Sequence, residues 1–407
     1  MAGDRPVLDV VYFLDADWQK DHRLPYLQEI ARYCRLLCIE PPITLDAFFR
    51  RLSICREWIS GKGRGIRQIG PSLYLYRPIA LVPYFVAWRF PTLGRLNRVI
   101  LGLSLRHALR QLGLNDIILI LAHPVEEPLI GLLGERLLCY EVYDEWAAHP
   151  SISPTRRRLL MVSEERILRK AAIVFASSQS LAESKRRLNS NTHFIPNAAD
   201  VEFFARSLDP ATPVPEDLAC LPEPRIGLIG NINEIVDLDL INYLAEQRPE
   251  WSIVLIGRVN GSPRFFKTSA YLKSRCLPNV HYLGWRDYRM LPAYQKGLDV
   301  CLLPYFVNDY TVNVYPSKVH QYLAGEKAVV ATAMPEMFPL KDVIYIAGSQ
   351  SEFLLLCDQA LQSVSPKVIE RRNAVARENS IRRRVASKVG LLDETVRKRN
   401  LSPQHRQ

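Results

Sequence analysis

Side chains that can exchange a proton follow predicted strands in the first half of the sequence. Asp144 and Glu145 follow the apolar run at 137–142, and His123 follows the run at 117–121. Because the carboxyl ends of parallel strands meet at one edge of a sheet, these groups should face one cleft. A carboxylate or an imidazole there could take a proton from an attacking hydroxyl group. The alternatives are an N-cap role for Asp144 and a purely structural role for His123.

Positive charges and a glycine follow predicted strands in the second half. Lys318 opens a predicted helix at 317–324, and Arg258 comes directly after a strand. Gly230, which is followed by Asn231, would let the backbone approach a ligand closely. Such groups suit a phosphate or diphosphate, whose negative charge must be stabilised. The alternatives are solvent-exposed cations and an ordinary turn.

Further polar groups lie on or beside the same predicted helix. Tyr322 is four residues after Lys318 and shares its helical face, and Gln321 is three residues after it. Ser317 starts the helix, and Asn313 precedes it. Amides of this kind can hydrogen bond ribose or sugar hydroxyls, which predicts that this helix lines a binding cleft.

Strand and helix patterns alternate along the whole chain, as in α/β proteins. Near-continuous apolar runs predict buried strands at 7–14, 35–39, 117–121, 137–142, 173–176, 225–229, 251–257, 280–283, 299–303, 328–332 and 343–346. Helical patterns lie between them, for example at 22–33, 237–247, 288–296 and 317–324. This alternation predicts an α/β fold with two doubly wound, Rossmann-like domains facing across a cleft.

Composition shifts predict the domain boundaries. Five prolines between 205 and 225 indicate a linker at 206–224, which separates a domain at 1–205 from a second at 225–365. A basic helix at about 366–390, within a terminal segment at 366–407, completes the chain. With 407 residues and 48% hydrophobic residues, the chain is too long for one core and too apolar to be disordered.

Basic charge is concentrated in two segments. Residues 50–110 contain twelve Lys or Arg and one acidic residue, and residues 366–407 contain twelve against four. The first segment also carries nine aromatic residues nearby or within it, a mixture suited to an anionic membrane surface or to a nucleic-acid groove. An ordinary solvated face is the alternative. The longest apolar stretch, at 79–88, is too short to span a bilayer.

Several sequence signals are missing. No GxGxxG follows the first strand, and no GxxxxGK[ST], HExxH or GxSxG string occurs. The eight cysteines have no metal-ligand spacing and are typical of reduced thiols in a cytoplasmic protein. These absences disfavour P-loop and dinucleotide binding as well as simple hydrolase chemistry.

Ordered motifs from residue 7 to 332 resemble the two-domain GT-B glycosyltransferases, most closely the group 1 enzymes of bacterial surface polysaccharide synthesis. The matching strings are DW at 17–18, EVYDEW at 141–146, VFASSQSL at 174–181, HFIPNAAD at 193–200, RIGLIGNI at 225–232, WSIVLIG at 251–257, PNVHYLG at 278–284, DVCLLP at 299–304 and PSKVHQYLA at 316–324. The terminal basic helix resembles the helix of this family that returns to the first domain.

This resemblance implies transfer of a sugar from a nucleotide-sugar donor, a UDP-sugar rather than a GDP-sugar, to a lipid-linked or glycan acceptor. It implies no metal and no other cofactor. Lys318 would stabilise the leaving diphosphate, and Asp144 would be the base. Asp17 and Trp18 would contact the acceptor side, together with His123 and Glu145 as weaker candidates for the base.

The sequence departs from the retaining members of the family at two positions. Asn313 and Gln321 stand where those enzymes have two glutamates separated by seven residues. Lys318 with the following Gln-Tyr pair is similar to the inverting glucuronosyltransferase of xanthan-type polysaccharide assembly. The sequence therefore leaves retention and inversion open.

The same departures motivate other functions. A catalytically silent glycosyltransferase-like partner subunit would keep the fold without transfer, and a sugar-nucleotide epimerase would share the two-domain architecture. Nucleic-acid binding is not expected, because no recognised motif accompanies the basic segments. We expect a cytoplasmic protein, peripheral on the inner face of the cell membrane through residues 50–110.

Overall fold

Two parallel β-sheets organise the chain, one in each half. The computed structural model describes residues 8–14, 23–44, 65–82, 86–87, 90–362 and 365–401. The strands are β1 (Leu8–Phe13), β2 (Cys34–Ile39), β3 (Ile43–Thr44), β4 (Ile66–Gly70), β5 (Leu73–Tyr76), β6 (Ile79–Ala80), β7 (Ile118–Leu121), β8 (Leu137–Val142), β9 (Ile173–Ala176), β10 (Thr192–Phe194), β11 (Arg225–Ile229), β12 (Ser252–Ile256), β13 (Val280–Gly284), β14 (Val300–Leu303), β15 (Ala328–Thr332) and β16 (Tyr345–Ala347).

Helices connect most of these strands. They are α1 (Leu24–Ile30), α2 (Pro91–Leu112), α3 (Pro154–Lys170), α4 (Gln179–Arg186), α5 (Val201–Phe204), α6 (Glu216–Ala219), α7 (Leu238–Gln247), α8 (Ser269–Ser274), α9 (Leu291–Lys296), α10 (Lys318–Ala324), α11 (Gln350–Ala360), α12 (Pro366–Glu378) and α13 (Ile381–Leu401). Side-chain caps start several of them; the Ser178 hydroxyl, for example, accepts the Leu181 N–H at the start of α4.

Strand order in both sheets is that of doubly wound folds. The first sheet runs β10-β9-β8-β7-β1-β2-β5-β4, and only the β4–β5 pair is antiparallel. The second runs β13-β12-β11-β14-β15-β16, with every pair parallel. β3 and β6 form a separate parallel pair. In both sheets the order reverses beside the first strand of the unit, and ligands bind at such a switch point. The predicted α/β class is confirmed.

Both faces of the first sheet are buried, which explains the continuous apolar strands. Val11 and Leu37 pack into the core on one face, and their neighbours Val10 and Leu36 pack into the core on the other. Alternate residues of a strand point to opposite faces, so a sheet covered on both sides needs apolar residues at every position. The second sheet has a single larger core, to which elements from α5 to α12 contribute.

The chain passes between the two units at two adjacent places. Ala199 lies where the chain passes from the first unit to the second, and its N–H donates to the Asn379 carbonyl at 3.2 Å. Where the chain returns to the first unit, the Ile381 N–H donates to the Ala199 carbonyl at 3.0 Å. These backbone bonds place both crossings side by side, so the two units are joined by a paired hinge.

The proline-rich segment at 206–224 is packed against the second unit. Leu218 on α6 is fully buried in the second core. The Lys296 ammonium donates to the carbonyls of Asp209 and Thr212 at 2.7 and 2.8 Å. These contacts fix the path of the chain after the hinge.

The basic C-terminal segment forms two helices where the sequence suggested one. The break lies at Asn379, whose side-chain amide donates to the Val375 carbonyl at 2.8 Å. The Asn379 carbonyl accepts the Ala199 N–H in the hinge, and the helix does not continue past it. Before the break α12 packs on α10, and after it Val385 and Leu392 of α13 enter the core of the first unit.

The basic segment at 50–110 contains regular structure that the sequence patterns did not predict. It contains β4, β5, β6 and the 22-residue helix α2. Residues 45–64, 83–85 and 88–89 of this region lie outside the described residues. In the described part of the chain, no helix is both long and apolar enough to cross a bilayer.

Candidate functional site

Three glycines lie side by side at the carboxyl edge of the second sheet. Gly230 follows β11, Gly257 follows β12 and Gly284 ends β13. The Gly230 N–H donates to the Ile256 carbonyl at 2.7 Å, and the Gly257 N–H donates to the Gly284 carbonyl at 2.9 Å. A Cβ on Gly257 would lie 1.8 Å from the Gly230 carbonyl oxygen. Glycine is therefore required here for close backbone packing.

The Lys318 side chain lies directly over this edge. A Cβ on Gly230 would lie 2.1 Å from Lys318 Cε and 2.8 Å from its Nζ. Nothing in the described part of the chain forms an ion pair or hydrogen bond with the Lys318 ammonium. Gly230 and Lys318, two predicted site residues that are 88 positions apart in the sequence, are thus brought together. A positive charge is therefore available where the strands end.

Tyr322 is hydrogen bonded to the end of β11 at this edge of the second sheet. Its side chain is 1% exposed, and its hydroxyl accepts the Ile229 N–H at 2.9 Å. Ser317 and Gln321 are partly exposed at the start and on the surface of α10. The Gln321 backbone carbonyl accepts from the Gln295 side chain at 3.0 Å, which anchors the helix. Tyr322 therefore holds β11 in place, while Gln321 keeps its side chain at the surface of α10.

Arg258 and Asn231 are both exposed at the same strand ends. The Arg258 carbonyl accepts the Ile232 N–H at 2.9 Å, which fixes the two loops relative to one another. The predicted acceptor-side residues Asp17 and Trp18 lie outside the described residues.

Asp144 lies near the second unit. It follows β8 in the first unit, and its negative charge acts on the Tyr310 hydroxyl group of the second. Burial, and then the negative charge of Asp144, raise the pKa of Tyr310 well above its ordinary value. The Tyr310 ring also meets the His149 ring edge-on, with centroids 4.8 Å apart. Asp144 therefore lies on the side of the first unit that is near Tyr310 of the second.

Glu145 is held in a buried ionic group within the first unit. Its carboxylate lies 2.8 Å from the Lys185 ammonium, which lies 2.8 Å from Glu164 as well. Burial lowers the pKa of Lys185, but the charges of both glutamates outweigh it, and the net shift is upward. The Glu145 carboxylate is thus already paired with a cation of its own unit.

His123 starts a short 3-10 helix. Its Nδ1 accepts the Val125 N–H at 3.0 Å, and its ring lies 4.5 Å from the Trp146 ring, centroid to centroid. Burial, with the positive charges of Arg156 and Arg23, lowers the pKa of His123 to about 4. The side chain thus caps a helix as a neutral imidazole, and Trp146 packs beside it.

A second pair of contacts joins the two units near Asn313. The Ser180 hydroxyl at the start of α4 donates to Asn313 Oδ1 at 2.8 Å. The Glu336 carboxylate of the second unit accepts the backbone N–H groups of Gln179 and Ser180 at 2.9 and 3.3 Å. Asn313, predicted to bind the donor, is thus in contact with the first unit. Glu336 was missed because its partners are distant in sequence.

A buried polar cluster lies beneath Asp144. Glu141 on β8 accepts hydrogen bonds from Tyr12 at 2.8 Å and from Tyr26 at 2.7 Å, and also from Tyr143. The Lys388 ammonium on α13 lies 2.9 Å from the same carboxylate. This cluster fixes the strand end that carries Asp144. Glu141 within an apolar strand was the one available signal in the sequence.

A curated relative supports the resemblance inferred from the motifs. The chain is 28% identical over 254 residues to the "Putative teichuronic acid biosynthesis glycosyltransferase TuaH" of Bacillus subtilis (strain 168). The match covers 58% of this chain and 62% of that protein. Comparison with protein-family models finds no match.

Solved glycosyltransferases share the fold along almost the whole chain. Sucrose-phosphate synthase from Thermosynechococcus elongatus has a TM-score of 0.64 at 13% identity, over 97% of this chain and 99% of that one. Trehalose 6-phosphate synthase from Burkholderia multivorans has a TM-score of 0.67 at 10% identity, over 98% and 99%. Anabaena HepE, in complex with UDP and glucose, has a TM-score of 0.62 at 14% identity, over 94% and 99%. The GT-B fold with two Rossmann-like domains is confirmed.

Proposed function

We propose that this protein is a glycosyltransferase that moves a sugar from a UDP-sugar donor to a lipid-linked or glycan acceptor. The observation that carries the proposal is the Lys318 ammonium over Gly230, at the edge of a sheet where this fold binds ligands. The curated relative and the fold both support transfer of a sugar. HepE binds UDP and UDP-glucose, which supports the same donor class here.

Lys318 would stabilise the diphosphate as it leaves. Negative charge develops on the leaving oxygen when the bond from the sugar to the diphosphate breaks, and a fixed cation there lowers the barrier. Because Gly230 has no side chain, the Lys318 side chain can lie against the end of β11 and hold its ammonium at the edge of the sheet. The residues present can supply this charge stabilisation themselves.

Asp144 would take the proton from the acceptor hydroxyl. In a single displacement, the hydroxyl oxygen attacks the anomeric carbon, its proton passes to Asp144, and the diphosphate leaves with the bonding electrons. This step inverts the sugar configuration. Asn313 and Gln321 support inversion, because neither amide carries the negative charge found at these positions in retaining enzymes.

Nucleotide binding tests the donor site. We expect UDP, rather than GDP, dTDP or ADP, to raise the melting temperature, because a ligand at a hundred times its Kd adds about 2.7 kcal/mol. Lys318→Ala should abolish this shift without altering the melting of the unliganded protein. Lys273→Ala, which removes an exposed lysine on α8, is the matched control. If none of the four nucleotides changes the melting temperature, a silent partner subunit replaces the enzyme as the better explanation.

Helix α2 gives the first unit a face suited to an anionic bilayer. Leu96, Val99 and Leu103 are 49%, 54% and 60% exposed on this helix. Four exposed arginines accompany them (Arg95, Arg98, Arg106 and Arg110), and the helix contains no acidic residue. Apolar side chains between cations bind headgroups and the acyl boundary together. Such an attachment would bring the first unit to a lipid-linked acceptor.

Vesicle binding tests this attachment. We expect the protein to sediment with phosphatidylglycerol vesicles and not with phosphatidylcholine vesicles. Each arginine near the surface contributes about 1 kcal/mol, so Arg95→Gln with Arg106→Gln should weaken binding about thirtyfold. Leu103→Ser should weaken it too, whereas Leu272→Ser, on a leucine of α8 that is 53% exposed, should not. Equal binding to both vesicles, or binding to duplex DNA instead, would refute the proposal.

A further inference from the structure

The first half of helix α3 exposes apolar and basic side chains together. Leu159, Met161 and Val162 are 43%, 56% and 42% exposed. Three consecutive arginines at 156–158 precede them and are exposed as well. In the described part of the chain, none of these arginines is in an ion pair. A contiguous apolar patch marks an interaction surface, and the arginines beside it favour a partner with negative charge.

Helices α2 and α3 cover the same face of the first sheet. Leu101 and Leu105 of α2 pack into the core on this face, and Ile167 of α3 belongs to the same core. Helices α1 and α13 pack into the core on the opposite face. The 3-10 segment Pro124–Leu129 contacts both α2 and α3. The outward sides of the two helices therefore belong to one surface of the molecule.

The exposed residues of each helix are spaced so that they share a side. Leu96, Val99 and Leu103 of α2 are three and four residues apart, which places them on one side of that helix. Arg158 and Val162 are four residues apart and share a side of α3 in the same way. The surface formed by α2 and α3 thus presents apolar and basic side chains from both helices.

This surface borders the cleft between the units. Helix α2 ends before β7 and α3 ends before β9, so both helices begin at the carboxyl edge of the first sheet. The start of α4 lies at the same edge, where the Gln179 N–H donates to Glu336 of the second unit at 2.9 Å. The exposed apolar residues of α2 and α3 lie toward the start of each helix. They are therefore close to the edge that faces the second unit.

An anionic bilayer is the partner that this surface fits best. Aliphatic side chains between cations bind the acyl boundary and the headgroup phosphates together. The exposed acid of α3, Glu165, lies 2.8 Å from Arg169 and adds no uncompensated negative charge. A nucleic-acid strand would use the cations, but its bases stack on aromatic side chains, whereas Leu159, Met161 and Val162 are aliphatic.

We propose that α2 and α3 together form one bilayer-binding surface, and that the cleft edge of the first unit lies against the membrane. Attachment through α2 alone would leave the unit free to rotate about that helix, whereas two helices define a plane and fix the orientation. In this orientation the acceptor reaches the cleft from the bilayer, so a lipid-linked acceptor is favoured over a free glycan. That consequence for the acceptor rests on the proposed function.

Vesicle flotation tests the contribution of α3 without sugar transfer. Met161→Ser with Val162→Ser should weaken binding to phosphatidylglycerol vesicles at least about tenfold, because two apolar side chains no longer leave water. Arg157→Gln with Arg158→Gln should weaken it about thirtyfold. Leu355→Ser, on a leucine of α11 that is 55% exposed, is the matched control and should change nothing. All these variants should melt like the wild type. Unchanged vesicle binding of both α3 variants would overturn the inference.

Site-specific labelling tests the orientation. An environment-sensitive fluorophore on Val99→Cys or Val162→Cys should brighten and shift to shorter wavelength on phosphatidylglycerol vesicles. The same label on Arg169→Cys, two turns after Val162 on the same side of α3, should respond less, and on Leu272→Cys of the second unit it should not respond. The labelled chains also carry Cys55→Ser, Cys220→Ser and Cys276→Ser.

The outcomes separate this inference from the proposed function. A response of the label at position 99 without one at position 162 would show attachment through α2 alone and would refute the shared surface. An equal response at positions 162 and 169 would refute the orientation. A protein that transfers no sugar, yet gives the expected vesicle and label results, refutes the proposed function and leaves the bilayer-binding surface standing.

Discussion

Removal of the Lys388 charge should destabilise the first unit in a pH-dependent way. Lys388 Nζ lies 2.9 Å from Glu141 Oε1, and the two side chains are 10% and 2% exposed. Lys388→Met keeps the length and the apolar stem of the side chain but leaves Glu141 without its cation. The variant therefore isolates the contribution of the Lys388 charge, which α13 brings to the first unit.

The size of the effect follows from burial and from the remaining hydrogen bonds. Loss of one partner from a buried ion pair costs about 3–5 kcal/mol. Glu141 keeps its hydrogen bonds from Tyr12 at 2.8 Å and Tyr26 at 2.7 Å, which partly compensate its charge. We therefore expect the free energy of unfolding to fall by about 3 kcal/mol at neutral pH, the lower end of that range.

Acid should reduce this deficit. Burial raises the pKa of Glu141, but in the wild type the Lys388 charge and the hydrogen bonds from Tyr143, Lys388 and Tyr26 outweigh burial, and the pKa lies below its ordinary value. The wild-type contribution is thus complete above a pH of about 4.3 and is lost as the pH falls through the lower folded value. Without Lys388, burial dominates and the folded protein binds a proton more readily than the unfolded chain. The difference between variant and wild type therefore shrinks from pH 7.5 to pH 5.5.

Urea unfolding followed by circular dichroism at pH 7.5 and 5.5 measures this difference. Glu141→Gln in the Lys388→Met background should recover stability, because no uncompensated charge remains. Lys398→Met is the matched control, since Lys398 lies on the same helix and its side chain is 74% exposed. A loss below about 1 kcal/mol at pH 7.5, or an equal loss at both pH values, would contradict the electrostatic explanation.

Three further substitutions test other contacts. Gly257→Ala forces a Cβ toward the Gly230 carbonyl, and we expect a loss of at least about 1 kcal/mol in urea unfolding together with a weaker nucleotide shift. Glu336→Gln removes the charge at the start of α4 and should loosen the contact between the units by about 0.3–1 kcal/mol, which small-angle scattering would detect as a larger radius of gyration. His320, whose pKa burial and the Arg384 charge lower to about 3, makes the protein less stable as the pH falls from about 6.5, and His320→Gln should flatten that slope by up to about 1.4 kcal/mol per pH unit. An unchanged radius for Glu336→Gln, or an unchanged acid slope for His320→Gln, would contradict these explanations.

The sequence was sufficient to predict eleven of the sixteen strands in the described part of the chain, and the edge at which they end. Runs such as β1 and β11 are apolar at nearly every position, because both faces of the sheets are covered. Lys318 and Gly230 were both predicted on the donor side, and the structure places the Lys318 side chain over Gly230. Local pattern and topology carry this information without any knowledge of side-chain packing.

Contacts between the units could not be predicted in the same way. Ser180 and Asn313 are far apart in the chain, and neither has a spacing that indicates the other. Glu336 lies in a 3-10 segment without periodicity, and its partners at the start of α4 belong to the other unit. Such contacts depend on how the two units pack against each other, and no local sequence pattern encodes this packing.

Helix α2 shows a further limit of pattern reading. Exposed leucines and arginines are mixed along this helix, so its apolar and polar faces are not clearly separated. The sequence therefore indicated a binding surface here but not a helix. The charged residues Glu141 and Lys388 were equally hard to interpret alone. Each is an exception within its own element, and only the packing of α13 on the first sheet explains both.

The return of α13 to the first unit has a consequence for synthesis on the ribosome. Domains usually fold in the order in which they emerge. Here the first sheet emerges early, but Val385 and Leu392 of its core, as well as the Lys388 cation that pairs with Glu141, are made only after the second unit. The second unit, with its core complete by α12, can therefore finish before the first. Until α13 leaves the ribosomal exit tunnel, the nascent chain exposes one apolar face of the first sheet. Chaperones can bind this face.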